Sequence, residues 1–423
     1  MLFFTANEPV TVSRNHIRQS LGPRSATGSP LGPLYVTSLH DFMALKKHLS
    51  ASGRQGALRV VDEDRVLQSE SAPVELGTSN RGEAPRYQAR LEGRVVSLPF
   101  RPLEQQLDAF GDTETPRTAI INGFGTGIGD YVVGLTAWRV ARERMLRAGF
   151  ESVSTEIWAR THGVPRARLV CETEPSISGI RTLPVTGEEF AELDGFWDLS
   201  GLLDRPGFRE MPTVDFFLQC LGVDPASVSD GDKRNRIRLP EPVISEIDAA
   251  LSSLDRPFVL LHTLSSTPLR NMPPAIIHRV LDEFATCPDF QVASLHTLPV
   301  DDDRYLDLSH LFRSHWHFCA TVSRASGLLS VDTSTYHVAD AFHIPSLVVF
   351  TTVPPERWIR YYPTVEAVML DGIRESEFLG LHVSDDPRVL SEIGRFWERL
   401  DVAALVQRFL DQVRGAGVHP RVS

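Results

Sequence analysis

Apolar residues in the stretch 327–362 follow a strand–helix–strand pattern. The apolar run LLSV at 328–331 is followed at once by the polar sequence DTST, and a second apolar run, LVVF, occupies 347–350. Between the two runs, apolar residues recur at helical spacing, and Pro345 ends that pattern. Runs this apolar are typical of strands buried on both faces of a parallel sheet. The pattern therefore predicts a parallel crossover unit, in which a helix joins two neighbouring strands.

An acid and a row of hydroxyl groups follow the first of these strands. They are Asp332, Thr333, Ser334 and Thr335, and His337 lies two residues further along, in the predicted helix. Open α/β sheets bind ligands at the carboxyl ends of their strands, and the free N–H groups at the start of a helix favour phosphate. The segment is therefore a candidate phosphate site.

A glycine-rich loop gives the chain another strand–loop–helix unit. A short apolar strand, AII, leads into the loop NGFGTGIGD, and a helix is predicted over 131–149. Gly125, Gly127 and Gly129 alternate with other residues, so the dinucleotide fingerprint GxGxxG is not met. The glycines either serve only a tight turn, or they bring the backbone close to a ligand and present Asp130 at the mouth of the sheet.

The loop 262–273 follows the apolar run FVLL and precedes a predicted amphipathic helix. It contains the hydroxyl residues Thr263, Ser265 and Ser266 and one cation, Arg270. Hydroxyl groups and a guanidinium are suited to holding a diphosphate. Because the loops after parallel strands gather at one edge of a sheet, we expect this loop to lie beside the segment DTST.

The chain is predicted to be an α/β protein of three portions. Residues 1–117 form an N-terminal α+β extension, 118–255 a first Rossmann-like domain, and 256–423 a second one with C-terminal helices. Within the extension, the pattern indicates a loosely held leader at 1–33, a strand at 34–36, a helix at 39–49 and a hairpin at 87–98. Two facing sheets of this kind would enclose a cleft between the domains.

Composition narrows the classes of partner. The 423-residue chain has a net charge of −11, which argues against nucleic acid or an anionic membrane surface as the main partner. No run of about 18 apolar residues occurs, so at most peripheral membrane contact is expected. The N-terminal sequence does not look like a secretory signal, and the four cysteines form no CxxC pair. Buried free thiols and a cytoplasmic location are therefore expected.

Two groups of residues have side chains that bind metals elsewhere. The triplet DDD at 301–303 occupies a polar connection, and acid pairs of this kind hold Mn²⁺ or Mg²⁺ in some proteins. It lacks an evident third ligand, so a solvated turn is the preferred interpretation. His310, His315 and His317 form the other group, and the last two are spaced so that they point to different sides of a helix. We interpret them as structural and expect no metal and no cofactor.

Three segments of this chain resemble motifs of one protein family. VDTSTYHVADAFHIPSLVVF, GTGIGDYVVGLTAW and HTLSSTPLRNMPPAIIHRVL are similar to stretches of glycosyltransferase family 9, the ADP-heptose:lipopolysaccharide heptosyltransferases and their relatives. The resemblance covers roughly residues 118–415 and leaves the extension unexplained. It implies the GT-B fold, in which two Rossmann-like domains face each other.

The resemblance also implies an activity and a set of site residues. The family consists of inverting, metal-independent enzymes that move a sugar, a heptose being one candidate here, from a nucleoside-diphosphate sugar to a glycan, a lipopolysaccharide-like or other lipid-linked molecule, or a protein. Asp130 matches the proposed general base, and the glycines before it belong to the acceptor side. The donor-side positions are the following: Thr263, Ser265, Ser266, Arg270, Asp332, Thr333, Ser334, Thr335 and His337.

Two alternatives stay open at this point. Arg270 stands where the family has lysine, Met272 where it has tryptophan, and Asn122 where it has a basic residue. These departures allow a catalytically inactive GT-B protein that binds nucleotide sugars or serves as a partner subunit. A Rossmann oxidoreductase is the second alternative, and the glycine spacing at 123–129 argues against it.

Overall fold

The computed structural model describes the chain in two compact units. Contacts assign Met1–Met211 and Asp215–Val228 to the first unit, and Pro212–Val214 and Ser229–Ser423 to the second. The described residues are 2–6, 10–14, 17–21, 34–37, 49–51, 54, 58–61, 96–97, 103–107, 110, 113–125, 127–160, 163–171, 174–183, 185, 192–199, 202, 205, 207–208 and 210–417. Each unit is described below by itself.

The first five described strands of the N-terminal extension lie within residues 2–61. They are β1 (Leu2–Ala6), β2 (Val10–Arg14), β3 (Ile17–Leu21), β4 (Leu34–Thr37) and β5 (Leu58–Val61). Strand β1 pairs antiparallel with β4 and β5, and β2 pairs antiparallel with β3. The predicted strand at 34–36 is therefore confirmed. The interpretation of 1–33 as a loosely held leader is wrong for its described residues, because β1, β2 and β3 pair with other strands. Each of these strands has five residues, which is too short to show a sustained hydrophobic period in the sequence.

Two further predictions for the extension concern few described residues. The predicted helix at 39–49 lies outside the described residues except at Leu49, where a helical segment is seen at 49–51. Of the predicted hairpin at 87–98, only β6 (Val96–Ser97) is described. That strand pairs in parallel with a strand about 100 residues later, so its described partner does not come from a hairpin.

The larger sheet of the first unit is parallel and has five described strands in the order β6-β10-β7-β8-β9. Its other strands are β7 (Arg117–Ile121), β8 (Ser154–Arg160), β9 (Gly179–Leu183) and β10 (Gly195–Asp198). Helices α1 (Leu103–Leu107), α2 (Ile128–Arg147), α3 (Val164–Cys171) and α4 (Thr213–Cys220) accompany it. The apolar side chains of β7 are completely buried, which confirms the predicted strand AII.

Helix α2 starts three residues before its predicted first residue, 131. Its N-terminal cap is Gly127, and the carboxylate of Asp130 accepts a hydrogen bond from the Gly127 N–H at 2.9 Å. An acid in this position satisfies a donor that the helix start leaves open, so the helix can begin earlier than its apolar pattern does. Asp130 therefore lies in the first turn of α2 and not in the loop before it.

The second unit is built on a six-stranded parallel sheet in the order β13-β12-β11-β14-β15-β16. Its strands are β11 (Phe258–His262), β12 (Gln291–Ser294), β13 (Tyr305–Asp307), β14 (Gly327–Val331), β15 (Ser346–Phe350) and β16 (Val365–Met369). Its helices are α5 (Glu241–Leu251), α6 (Pro274–Ala285), α7 (His315–Ser323), α8 (Thr335–Ala341), α9 (Glu356–Ile359), α10 (Pro387–Glu398) and α11 (Val402–Gly415). The predicted crossover unit is β14–α8–β15, whose two strands are neighbours.

The central strands of this sheet are buried on both faces. Leu329 and Val349 pack into one apolar cluster with α6 and α11, whereas Leu328 and Val348 pack into another with α5 and α7. Successive residues of one strand point to opposite faces, so only a sheet covered on both sides accommodates such continuous apolar runs. The α/β fold class is confirmed for both units, while the predicted cleft between them stays a prediction.

The boundary between the units differs from the expected position at residue 255. The second compact unit includes the chain from Ser229 onward. Helix α5 belongs to it because Ile247 and Leu251 are buried in the same cluster as Phe258 and Leu260 of β11. The Pro-rich connection before α5 looks like a linker in the sequence, yet the helix that follows it contributes to the core of the second unit.

Among the described helices, none combines the length and the apolar content needed to cross a bilayer.

Candidate functional site

The carboxyl ends of β11, β14 and β15 lie side by side in the second unit. Strand β14 is hydrogen-bonded to β11 on one side and to β15 on the other. The loop after β11 contains Arg270, the segment after β14 begins with Asp332, and Thr351 is the first residue after β15. This arrangement confirms that the loop 262–273 and the segment DTST meet at one edge of the sheet.

Arg270 and Asp332 form the centre of this edge. The guanidinium donates from Nη1 to Asp332 Oδ2 at 2.9 Å and from Nη2 to Ser266 Oγ at 3.0 Å. Asp332 is only 4% exposed, and its Oδ1 accepts a hydrogen bond from the Tyr336 hydroxyl at 3.2 Å. A buried ion pair of this kind holds both side chains in fixed positions. Asp332 thus serves as the counter-ion that orients Arg270, which leaves the cation and not the acid to attract a phosphate.

Several buried polar atoms at this edge have no hydrogen-bond partner within the described part of the chain. They are Ser265 Oγ, Arg270 Nε, Thr335 Oγ1 and Thr351 Oγ1. Buried polar groups are nearly always paired, and leaving one unpaired costs about 1–3 kcal/mol. Four such atoms at the ends of three adjacent strands indicate a place where a polar ligand supplies the missing partners.

Thr351 is a residue that the sequence interpretation missed. It is 1% exposed and follows the apolar strand LVVF directly, as Asp332 follows β14. The signal that could have found it is therefore its place after a buried parallel strand. Its neighbour Thr352 is also buried, but the Thr352 hydroxyl donates to the carbonyl of Leu381 at 2.6 Å.

The remaining donor-side residues are in less uniform positions. Thr333 and Ser334 are partly exposed at the start of α8, whereas the Thr263 hydroxyl is buried and hydrogen-bonded to His296 Nε2 at 2.9 Å. His337 is 3% exposed, and its Nδ1 lies 2.7 Å from the Tyr362 hydroxyl. Burial, followed by the nearby cation Arg270, lowers the pKa of His337 to about 3. His337 is therefore a neutral interior residue.

Two further histidines, His262 and His296, lie at the ends of β11 and β12, and the sequence interpretation missed them as well. The rings of His262 and His296 are 4.9 Å apart and perpendicular. Burial lowers the pKa of His262 to about 3 and the pKa of His296 to about 4. Both rings are neutral at physiological pH and offer hydrogen-bonding groups without charge. Their only sequence signal was their position after two apolar runs.

In the first unit, the glycine loop wraps closely around Asp130. Asn122, Gly123 and Gly125 have φ angles of 67°, 59° and 132°, in the left-handed region that favours glycine and asparagine. A Cβ atom on Gly125 would come within 2.7 Å of Asp130 Oδ2. Gly127 is the helix cap, and Gly129 is buried inside α2. The glycines thus allow the backbone to approach the carboxylate, and Asp130 itself is partly buried.

The residues considered for a metal are engaged in other contacts. Arg304 donates from Nε to Asp302 Oδ1 at 2.8 Å, and this ion pair holds the pKa of Asp302 well below its usual range. Asp301 and Asp303 are exposed, as expected for a solvated turn, and Asp302 is the member of the triplet that is ion-paired. His317 contacts Glu246 at 2.9 Å, and His315 lies against Cys319. In the described ranges, no three His, Cys, Asp or Glu side chains are arranged to hold a metal ion, and the four cysteines are buried free thiols.

Comparisons with known proteins found similar solved structures. No protein-family model matches the chain, and no curated protein matches it. The E. coli ADP-heptose lps heptosyltransferase II is 12% identical, with a TM-score of 0.44 over 67% of this chain and 99% of that one. A glycosyl transferase family 9 protein from Veillonella parvula is 14% identical, with a TM-score of 0.46 over 68% and 98%. The dodecameric iron-containing heptosyltransferase TibC of enterotoxigenic E. coli, solved with ADP-D-β-D-heptose, is 14% identical, with a TM-score of 0.47 over 73% and 80%.

Proposed function

We propose that this protein is an inverting glycosyltransferase that moves a sugar from a nucleoside-diphosphate sugar to an acceptor hydroxyl. The observation that carries the proposal is the group of buried polar atoms without partners around Arg270, at the ends of three neighbouring parallel strands. A diphosphate is both anionic and rich in hydrogen-bond acceptors, so it matches a fixed guanidinium surrounded by hydroxyl donors.

The donor would be held by the second unit. Arg270 would pair with the diphosphate, and the hydroxyls of Ser265, Thr335 and Thr351 would donate to its oxygen atoms. As the bond between the anomeric carbon and the diphosphate oxygen breaks, negative charge grows on the leaving diphosphate. Fixed donors and a cation stabilise such a charge without reorganising, which is the main source of catalysis in many enzymes. We propose that this set takes the place of a metal ion.

Asp130 would act on the acceptor. Its carboxylate takes the proton of the acceptor hydroxyl while the oxygen forms a bond to the anomeric carbon and the nucleoside diphosphate leaves with the electron pair of the broken bond. Attack from the face opposite the leaving group inverts the configuration. A Cβ atom on Gly125 would come within 2.7 Å of Asp130 Oδ2, so glycine keeps a side chain from crowding the carboxylate that we propose the acceptor reaches. A glycan, a lipid-linked molecule or a protein is the proposed acceptor.

A binding protein without transfer activity is the second candidate. The observation in its favour is that Asp130 already serves as part of the N-terminal cap of α2, through its contact with the Gly127 N–H. In Asp130→Asn, the amide oxygen keeps this contact but cannot take a proton. An enzyme would lose transfer by about two orders of magnitude or more and retain donor binding, whereas a binding protein shows no transfer before or after the change.

Thermal-shift measurements with ADP-, UDP-, GDP- and dTDP-sugars test the donor site. A ligand at about 100 times its dissociation constant adds roughly 2.7 kcal/mol to the free energy of unfolding. Arg270→Gln removes the cation and is expected to abolish the thermal shift. Arg270→Lys keeps the positive charge and is expected to retain part of the thermal shift. Arg279→Gln, on an exposed surface arginine, is the matched control. An equal shift in Arg270→Gln and Arg279→Gln would contradict the proposed site.

A further inference from the structure

The connection between β16 and α10 crosses the edge of the sheet that carries the candidate site. Residues 370–386 contain no helix or strand. They leave from the end of β16, the edge strand, and reach α10, which packs against the turn Pro268–Arg270 in the loop after β11. Since β15 and β14 lie between β16 and β11, the connection passes the carboxyl ends of both strands.

Two threonines from the site loops hold this connection. Thr352, which follows β15, donates from Oγ1 to the Leu381 carbonyl at 2.6 Å, and its backbone carbonyl accepts from the Gly380 N–H at 2.7 Å. Thr267, in the loop after β11, donates to the Ser384 carbonyl at 3.4 Å. An extended chain covers roughly 10 Å in three residues, which equals about two spacings between strands. The chain between these two anchors is therefore long enough to reach from the β15 side to the β11 side past the end of β14.

This crossing segment has hinges and exposed apolar side chains. Gly372 and Gly380 have φ angles of 83° and 84°, a conformation that other residues rarely adopt. Leu379 is 41% exposed and Val383 is 70% exposed, whereas the nearby Phe378 and Leu381 are partly buried against the apolar core. A short segment with glycine hinges and no helix or strand of its own opens at a low free-energy cost.

We propose that residues 379–386 form a donor strap, which opens at Gly380 to admit a nucleoside diphosphate and closes over it against Thr352 and Thr267. Thr352 is a positioning residue in this scheme, because it acts on the ligand through the strap. The inference rests on the proposed function, since it needs a nucleoside diphosphate at the end of β14. It adds a step that limits how fast the product nucleotide leaves.

Hydrogen exchange of the full chain tests the strap directly. The probes are ADP, UDP, GDP and dTDP, with inorganic pyrophosphate as the common diphosphate fragment. Exchange in a peptide covering 379–386 is expected to slow at least five-fold with the nucleotide that binds, together with exchange in 265–271. Protection of 265–271 alone would overturn the strap and leave the proposed function standing. Protection of neither segment by any probe would overturn both.

Variants of the anchors give a second test. Thr352→Val removes the hydroxyl with little change in shape and should speed nucleotide dissociation roughly five-fold, and Thr352→Ser should restore the slow rate. Gly380→Ala adds a methyl group where no atom lies within 4 Å, so its effect comes from the backbone angle alone. Gly394→Ala, in α10, also meets open space and is the control. Dissociation rates in Thr352→Val and Gly380→Ala equal to that of Gly394→Ala would overturn the proposal.

Discussion

Asp340 is a buried carboxyl group whose protonation should contribute measurably to the pH dependence of stability in the second unit. It lies in α8, is 0% exposed, and accepts a hydrogen bond from the Asn235 N–H at Oδ2, at 3.1 Å. Its Oδ1 has no partner among the residues that the structure describes. Burial, only partly opposed by Asn235 and the nearby cation Arg234, raises the pKa of Asp340 from 3.8 to about 7. The folded protein therefore holds a proton on this group that the unfolded chain releases.

The sign of the effect follows from these two pKa values. Between about pH 4 and pH 7 the folded state keeps a proton on Asp340 that the unfolded state has released, so the contribution of Asp340 to the free energy of unfolding falls as the pH rises. The contribution is fully present below the unfolded pKa and is lost as the pH passes the folded pKa of Asp340. A shift of about three pKa units corresponds to roughly 4 kcal/mol in total, of which about 2.5 kcal/mol is lost between pH 5 and pH 8.

Asp340→Asn should remove this contribution and leave the opposite one of the buried histidines His262, His296 and His337, whose pKa values are lowered. The amide oxygen still accepts from the Asn235 N–H, and no charge appears in the interior at high pH. We expect the stability that the variant gains over the wild type to grow by about 2.5 kcal/mol between pH 5 and pH 8 in urea titrations, because this difference cancels the contributions of all other titrating groups. Asp255→Asn, on an exposed carboxylate, is the control. Because a chain of two units can unfold in steps, hydrogen exchange of 335–341 should accompany the urea curves. A wild-type pH slope retained in Asp340→Asn would refute the assignment.

Three further predictions concern the fold and the site. Leu329→Ala, in the middle of β14, should lower the free energy of unfolding by about 2–5 kcal/mol in denaturant titrations, because Leu329 is completely buried; a loss below 1 kcal/mol would contradict the core. Gly134→Ala should lower the melting temperature, because a Cβ atom there would come within 2.0 Å of the Phe124 ring. Gly394→Ala meets open space in a helix and should raise the melting temperature slightly. Equal changes in the two variants would contradict the packing around Gly134. Asp332→Asn should weaken nucleoside-diphosphate binding by loosening Arg270, and calorimetric affinities equal to those of the wild type would show that the ion pair does not position the cation.

Local patterns were sufficient to predict the central part of the second unit. The crossover β14–α8–β15 follows from two apolar runs separated by a helical period, and the proximity of Arg270 to Asp332 follows from the rule that strand-end loops share an edge. The helix start at residue 128 was also present in local spacing, as an acid three residues after a glycine cap, but the apolar period concealed it. These features depend on residues that are close in sequence or on a general rule of sheets.

Other features depend on contacts that no local pattern contains. Asn235 and Asp340 are separated by 105 residues, and Thr263 and His296 by 33, so their hydrogen bonds arise only when the second unit is assembled. The same holds for β6, whose partner is β10. Thr351 lies between these cases, since its position after a buried strand was visible but its lack of a partner was not.

Thr351→Val is the variant that tests the proposed donor site most directly. Valine has nearly the same shape as threonine and lacks only the hydroxyl, whose oxygen is buried and has no partner in the described part of the protein. Removing an unpaired buried hydroxyl should raise the free energy of unfolding of the ligand-free protein by about 1 kcal/mol. The same change should weaken nucleoside-diphosphate binding by roughly five- to ten-fold in calorimetric titrations, because the ligand loses one hydrogen bond. Higher stability with lower affinity is the predicted result, and an affinity equal to that of the wild type would contradict the site.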